Sequence, residues 1–309
     1  MDYIIYRIAI IINHMENITP WILVGIVWLT TILIFAVHPL TKRWTNSYLA
    51  FWIPWGILTT VLSLVFRFIP DWIEHISNWA TNGYNGIDSF DLTRIFLLDA
   101  CPMICVLNMF ACFIPNRKFG QAMAPISIFA ALLTLTAFIP GSEDVFSLKF
   151  LFTGPDRENR GFFLIHFLNL ITSCVFLLSG PRMTWRKFFT RTNLFVFSYL
   201  GYVAIMIAIF NGKLNQNATG LVPGDWLPGG EYSFLGKIIG LGFPLDPIIA
   251  FVFCYLGLMI ITFIAIVLTR MKPHNVPGIV NDRDWWWQYY KIGHEYLCPL
   301  PPVKNKKKK

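Results

Sequence analysis

The chain has 309 residues, 55% of them apolar and only 14% charged, with a net charge of +8 and a mean hydropathy of +0.55. Soluble domains carry about a quarter charged residues, so this chain, with its 28 Phe, 12 Trp and 11 Tyr, has too little polar surface to cover a globule of its size. A soluble enzyme is excluded, and so is intrinsic disorder, which needs the opposite balance. The apolar stretches are long and unbroken, which excludes a membrane barrel and indicates an all-α polytopic membrane protein.

In chain order, Tyr3 to Ile12 is apolar but short and interrupted by Arg7, so residues 1–19 are expected to lie in the membrane interface. Seven transmembrane helices then follow at 20–38, 47–69, 92–114, 119–139, 161–179, 192–210 and 247–269, each near the 20 apolar residues a bilayer requires. Proline marks the breaks: Pro20 suits the first turn of a helix, and His38-Pro39, Ile114-Pro115, Ile139-Pro140 and Gly180-Pro181 each predict an end. The membrane domain is thus 20–269, and 270–309 form a basic, aromatic tail.

Orientation follows from the basic residues. The segments after spans one, three, five and seven hold 17 Lys and Arg, against 6 in the N-terminal segment and the other loops. The positive-inside rule puts the N-terminus outside and the C-terminus in the cytoplasm. Two long connections, 70–91 and 211–246, are then external. The first carries Asp71, Glu74, Asp88 and Asp91 and no basic residue. The second is rich in Gly and Pro and is expected to pack over the helix ends. Asn17 and Asn217 open glycosylation sequons on that side. No internal repeat is visible, which weakens an inverted-repeat transporter reading.

Ionisable groups inside a span are expensive, and here they are few: Arg67, Arg94, Asp99 and His166, with Asp246 at the mouth of span seven. In this orientation all lie in the outer half of the membrane or at its outer edge. On span three, Arg94, Cys101, Cys105, Asn108 and Cys112 recur at helical spacing and predict one face, with Asp99 pointing elsewhere and Pro102 kinking the helix. On span five, His166, Asn169 and Ser173 make a second seam. If the two seams meet, a thiol, an imidazole and an amide share one pocket. Plainer readings stand beside this one: structural cysteines, a hydrogen-bonded histidine, arginines snorkelling to headgroups, and Asp99 neutralising Arg67. The six cysteines lie in apolar runs or in the tail without paired short spacing, so neither a disulfide framework nor a metal site is expected, and nothing calls for a cofactor.

The run Phe96-Leu97-Leu98-Asp99-Ala100-Cys101 resembles the Leu-His-Leu-Cys element of the YwaF-type family of seven-span membrane proteins, which includes an animal ether-phospholipid acyltransferase. The break Pro115-Asn116-Arg117-Lys118, the start of span five at Phe162-Phe163-Leu164-Ile165-His166, the Asn-containing sixth span and the Pro244-Leu245-Asp246-Pro247 lead into span seven are also similar. The likeness runs from about 47 to 270. It implies that Cys101 and His166 carry an acyl group between phospholipid and an acceptor. Asp99 departs from the pattern, standing where the family has His.

The implied chemistry is attack by a Cys101 thiolate on a lipid ester, with His166 as base and then acid. Arg67 or Arg94 would hold the phosphate, and Asn169, or an amide freed by Pro102, the oxyanion. The rival expectations are a lipid or small-solute carrier and an accessory subunit with a membrane-protein partner. In the tail, Trp285-Trp286-Trp287, Tyr289-Tyr290 and the five lysines among residues 304–309 predict contact with the anionic inner leaflet; specific nucleic-acid binding is not expected. The richness in Ile, Phe, Asn and Lys suggests an AT-rich genome such as that of a wall-less bacterium, and a bacterial plasma membrane.

Overall fold

The computed structural model describes residues 2–82, 89–115, 117–154, 159–179, 185–210, 213–214, 220–228 and 232–270. Among these the regular elements are all helical. Six helices are long and apolar enough to cross a membrane: Ile18–His38, Tyr48–Thr81, Phe90–Phe113, Lys118–Gly141, Phe189–Phe210 and Leu245–Ile264. A shorter apolar helix, Phe162–Leu178, lies among them. Six of the seven expected spans are therefore matched by candidate spans among the described residues, and the expected fifth is a shorter helix of 17 residues. The tail beyond residue 270 and the Asn217 sequon lie outside the described residues.

Helix α1 runs unbroken from Asp2 to Thr45. The expected interfacial segment is thus the first part of the same helix, and neither Pro20 nor Pro39 ends it. In an apolar setting the amides on either side of a proline gain nothing by leaving the helix, because no water awaits them. Two other proline breaks stand as expected: α4 (Ala100–Phe113) stops before Pro115, and α5 (Lys118–Phe138) gives way to a single 3-10 turn at Ile139–Gly141.

The second span, α2, is one continuous helix over Tyr48–Thr81 made of two α segments, Ile53–Ser63 and Ile69–Thr81, each preceded by a π turn, Tyr48–Trp52 and Leu64–Phe68. The cause is visible in the sequence. Pro54 and Pro70 cannot donate to the carbonyls of Ala50 and Phe66, and the ring would collide with them. The turn widens instead, so that Ile53 N bonds Tyr48 O and Ile69 N bonds Leu64 O. A third π turn, Lys149–Thr153, also comes just before an X-Pro step, Gly154-Pro155. The helix thus continues to Thr81, and Asp71 and Glu74, expected in a loop, belong to α2.

The third span is interrupted. Helix α3 (Ser89–Ile95) and α4 are separated by residues 96–99. Beyond them come α6 (Phe162–Leu178), α7 (Trp185–Phe210), the short α8 (Ser233–Ile239) and α9 (Leu245–Arg270). The α5/α6 pair forms the centre, joined by α1, α4 and the N-terminal half of α2. Trp52 stacks on Phe176 at 4.2 Å within this core. Gly257 lets α9 approach α5, since a Cβ there would lie 2.3 Å from the Phe129 ring.

The bundle is apolar outside and partly polar within. Ile22, Leu29, Ile57, Val61, Phe197, Ile205, Phe253 and Ile260 are exposed, whereas Ser63, Arg67, Asp71, His75, Asn108 and Asn169 are buried. That inversion is what a lipid solvent selects. The connection around α8 packs over the helix ends as expected: Val222, Asp225 and Trp226 are buried, and Asp246 accepts from the amides of Leu241 and Gly242 at 2.9 and 3.1 Å.

Candidate functional site

The site lies at the end of the bundle where α2, α5 and α7 finish and α3, α6 and α9 begin. On α2, the widened turn carries Arg67, which is 3% exposed. Its Nε meets Asp71 Oδ2 at 3.1 Å and its Nη1 donates to the carbonyl of Arg160. Arg160 in turn reaches Asp71 Oδ1 at 3.4 Å and Glu74 Oε2 at 2.9 Å. Gly161 makes this approach possible: it sits at φ +60°, and a Cβ there would stand 3.1 Å from that of Arg67. One turn further along α2, His75 Nδ1 pairs with Asp91 Oδ1 in a buried contact to the third span.

The break in the third span supplies the other wall. Leu97 takes a left-handed conformation at φ +52°, unusual for a branched residue, and Asp99 is extended as the residue before α4. Helical carbonyls freed by such a break must find donors at membrane depth. Tyr202 Oη donates to Phe96 O at 2.6 Å, and Tyr199 Oη donates to Leu98 O at 2.5 Å. Arg94 Nη1 meets Asp99 Oδ2 across the break at 3.0 Å, with the guanidinium over the Phe90 ring at 4.7 Å.

These facts correct three expectations. Asp99 pairs with Arg94, not Arg67. Arg94 does not share a face with Cys101, because the helix between them is interrupted. Pro102 does not kink the span; it falls in the first turn of α4, where its missing N–H would have had no partner anyway.

Between the two walls is a narrow cleft with about 10 Å³ of open room, enough for about one water molecule, lined by Arg67, Asp71, Trp72, Thr93, Arg94 and Asp99 among others. Asp99 Oδ1 is buried and accepts no hydrogen bond among the described residues.

Below the cleft the seams of α4 and α6 face each other. Asn108 Nδ2 donates to Asn169 Oδ1 at 3.1 Å and to Ser173 Oγ at 3.3 Å, and Asn169 Nδ2 donates to the Cys101 carbonyl at 3.0 Å. The thiol and imidazole are less well matched. No hydrogen bond joins Cys101 to His166. His166 Nδ1 bonds the carbonyl of Phe162 one turn back, at 2.7 Å, with its ring 4.3 Å from that of Phe162, while the Cys101 thiol interacts with Thr134. Asn169 already has one amide hydrogen committed to backbone. Cys105, the neighbour on the same face, pairs with Ser63 at 3.4 Å. Even so, Arg67 and Arg94 lie within electrostatic reach of His166, and Asp99 of Cys101, so the candidate residues occupy one neighbourhood.

Several contributors escape the sequence reading: Asp71, Glu74, Arg160, the His75–Asp91 pair and the two tyrosines. Asp71 follows Arg67 by four residues, and Tyr199 and Tyr202 are three apart; both are same-face spacings. At the opposite end Arg117 is fully buried, donating to the carbonyls of Ala111, Cys112 and Ile114 and lying 4.2 Å over the Trp52 ring. It closes the C-terminus of α4. Among the described residues no group of three or more His, Cys, Asp and Glu is placed to hold a metal ion.

Similar sequences come from wall-less bacteria. The uncharacterized protein MG135 of Mycoplasma genitalium is 32% identical over 194 residues, 60% of this chain and 67% of that protein. An uncharacterized homologue of it in Mycoplasma pneumoniae is 34% identical over 164 residues, 52% of this chain and 55% of that protein. No solved structure matches the chain. The model of a family of unknown function, DUF5378, matches residues 23–289 and so takes in the whole of the cleft, the broken span and the polar seams; the chain belongs to that family.

Proposed function

We propose that the protein is a membrane carrier whose narrow cleft between α2 and the broken third span opens to take in a small polar solute or a lipid headgroup. The observation behind this reading is the break itself. Non-helical backbone at membrane depth is tolerated where it is enclosed by protein or lines a polar cavity, and broken helices beside buried charges are the usual construction of substrate sites in carriers. Here the break at residues 96–99 adjoins two arginines and two aspartates in one cleft, and a polar seam continues from it toward the other end.

In this reading the chain has seven spans. Phe162–Leu178 is the fifth, at about 26 Å by the helical rise, close to the hydrocarbon thickness. The excess of Lys and Arg puts the N-terminus outside, the C-terminus in the cytoplasm and the cleft in the outer half of a bacterial plasma membrane. The tail, residues 271–309, then lies against the anionic inner leaflet.

The test is labelling with a membrane-impermeant maleimide in a cysteine-free background. Thr93→Cys in the cleft reacts from outside and Ser173→Cys on the seam reacts from inside, and modification at one position prevents reaction at the other. A Ser173→Cys variant inert from both sides removes the carrier reading.

A second reading, phospholipid acyl transfer through a Cys101 thioester, has one observation in its favour: the shared neighbourhood of Cys101, Asp99, His166 and the two arginines. Here His166 Nδ1 is bound to its own helix, leaving Nε2 as the base. Mass spectrometry of protein purified from lipid would find a hydroxylamine-labile acyl adduct that Cys101→Ala abolishes and Cys105→Ala retains. Absence of any adduct in the wild type ends this reading.

A further inference from the structure

The charges of the cleft constrain what enters it. Its walls carry two cations, Arg67 and Arg94, and two anions, Asp71 and Asp99. All four are tied in two ion pairs, Arg67 with Asp71 and Arg94 with Asp99. Just outside, Arg160 and Glu74 add one more of each sign. A ligand with net charge would leave that charge uncompensated in a poorly solvated place, which is costly. A ligand that carries both signs leaves the balance unchanged.

The committed and uncommitted atoms point the same way. Arg67 uses Nε and Nη1 on Asp71 and the Arg160 carbonyl, which leaves Nη2 of its five-donor fork. Asp99 uses Oδ2 on Arg94, and its Oδ1 is buried without a donor among the described residues. The cleft thus offers an anion-binding donor on α2 and a cation-binding acceptor at the head of α4. Trp72 and Phe68 supply the aromatic part of the lining, and an aromatic face favours an ammonium.

We propose that the cleft selects a zwitterion, with Arg67 holding its carboxylate or phosphate and Asp99 its ammonium. The same chemistry is found in free amino acids and betaines and in the headgroups of phosphatidylcholine-type lipids. The proposal rests on the carrier reading but is separable from it, since a carrier for a singly charged solute would use the same cleft.

The experiment is thermal stabilisation of the purified full-length protein in nanodiscs. In phosphatidylglycerol discs the probes are a panel of free amino acids, glycine betaine and phosphocholine, against choline chloride and inorganic phosphate as probes of single sign. A second arm replaces half of the disc lipid by phosphatidylcholine. Stabilisation by a free zwitterion assigns a solute, and stabilisation only by the second disc assigns a headgroup; both support the proposal. Asp99→Asn, which retains an acceptor for Arg94 but leaves the cleft one positive charge in excess, loses the zwitterion shift and gains one with phosphate. Asp99→Glu, which keeps the charge, keeps the preference for zwitterions and guards against a folding artefact in the first variant. Stabilisation of the wild type by choline or phosphate as strong as that by any zwitterion overturns the proposal and leaves the carrier reading standing. Stabilisation by none of the probes in either disc overturns it as well. Failure of the carrier reading itself is read separately, from the inert Ser173→Cys variant.

Discussion

Arg94 and Asp99 face each other across the gap in the third span, Nη1 to Oδ2 at 3.0 Å, five residues apart in a stretch where an intact helix would have turned them to different sides. The pair clamps the two half-helices and neutralises a carboxylate that would otherwise stand in the membrane. Its partners are only 15% and 16% exposed.

Removing one partner therefore strands the other. Breaking a buried pair in this way costs about 3–5 kcal/mol, and the residual exposure reduces the expectation here to about 2 kcal/mol for Arg94→Ala. Asp99→Asn, with its acceptor intact, is expected to lose about 1 kcal/mol. Thermal denaturation of the purified variants should rank them in that order.

The tyrosines on α7 hold the carbonyls of the gap. Tyr199→Phe and Tyr202→Phe each leave one buried carbonyl without its donor, a loss of about 1–3 kcal/mol. The effect should be local before it is global: the rate at which maleimide reaches Cys101 should rise about tenfold in the double variant, the equivalent of about 1.4 kcal/mol of easier opening.

Gly161→Ala puts a methyl into a left-handed position and against the Arg67 side chain. Such backbone strain costs about 1–3 kcal/mol, and the same substitution loosens the Arg160 turn from Arg67. A fall in melting temperature larger than that of Gly25→Ala, where a Cβ meets nothing within 4 Å, is the expected outcome.

Arg117→Lys is expected to behave as a drastic change. A lysine ammonium lacks the planar fork that spans the carbonyls of Ala111, Cys112 and Ile114 while stacking on Trp52. Loss of about 2 kcal/mol of stability, with fraying of the end of α4 in hydrogen exchange, is the measurement to make.

Topology has its own check. Reporter fusions should place Asn217 outside and Lys307 in the cytoplasm. The reverse result would put the cleft in the inner half of the membrane.

The spans were legible because about 20 apolar residues in succession have few other fates, and the prolines after α4 and α5 end their helices for a reason that is local. The meeting of Asn108 with Asn169 and Ser173 was legible too, since polar side chains at steps of three and four must find one another when lipid is the alternative. The break at 96–99 was not. Phe96-Leu97-Leu98 is as apolar as any helical run, and the groups that satisfy its carbonyls stand about a hundred residues away on α7. Arg160 was hidden for the same reason: its partners lie on α2, 86 and 89 positions earlier. The persistence of α1 past Pro39 is not legible in the residues alone, because proline ends a helix where water can take up the freed backbone groups and not where lipid surrounds them.

The π turn over Leu64–Phe68 sets a phase. Thr59, Ser63, Arg67, Asp71 and His75 are all buried and spaced by four. In an ideal helix of 3.6 residues per turn that stripe would wander by about 160° from its first member to its last, carrying Asp71 and His75 round toward the lipid. The wide turn takes back much of that rotation and keeps the whole column pointing inward. One residue more or fewer between Ser63 and Pro70 would leave every side chain chemically intact and swing the upper half of the helix through about 100°. The length of that short stretch is therefore under tighter constraint than its composition: Val65 or Phe66 can be exchanged for other apolar residues, but neither can be deleted.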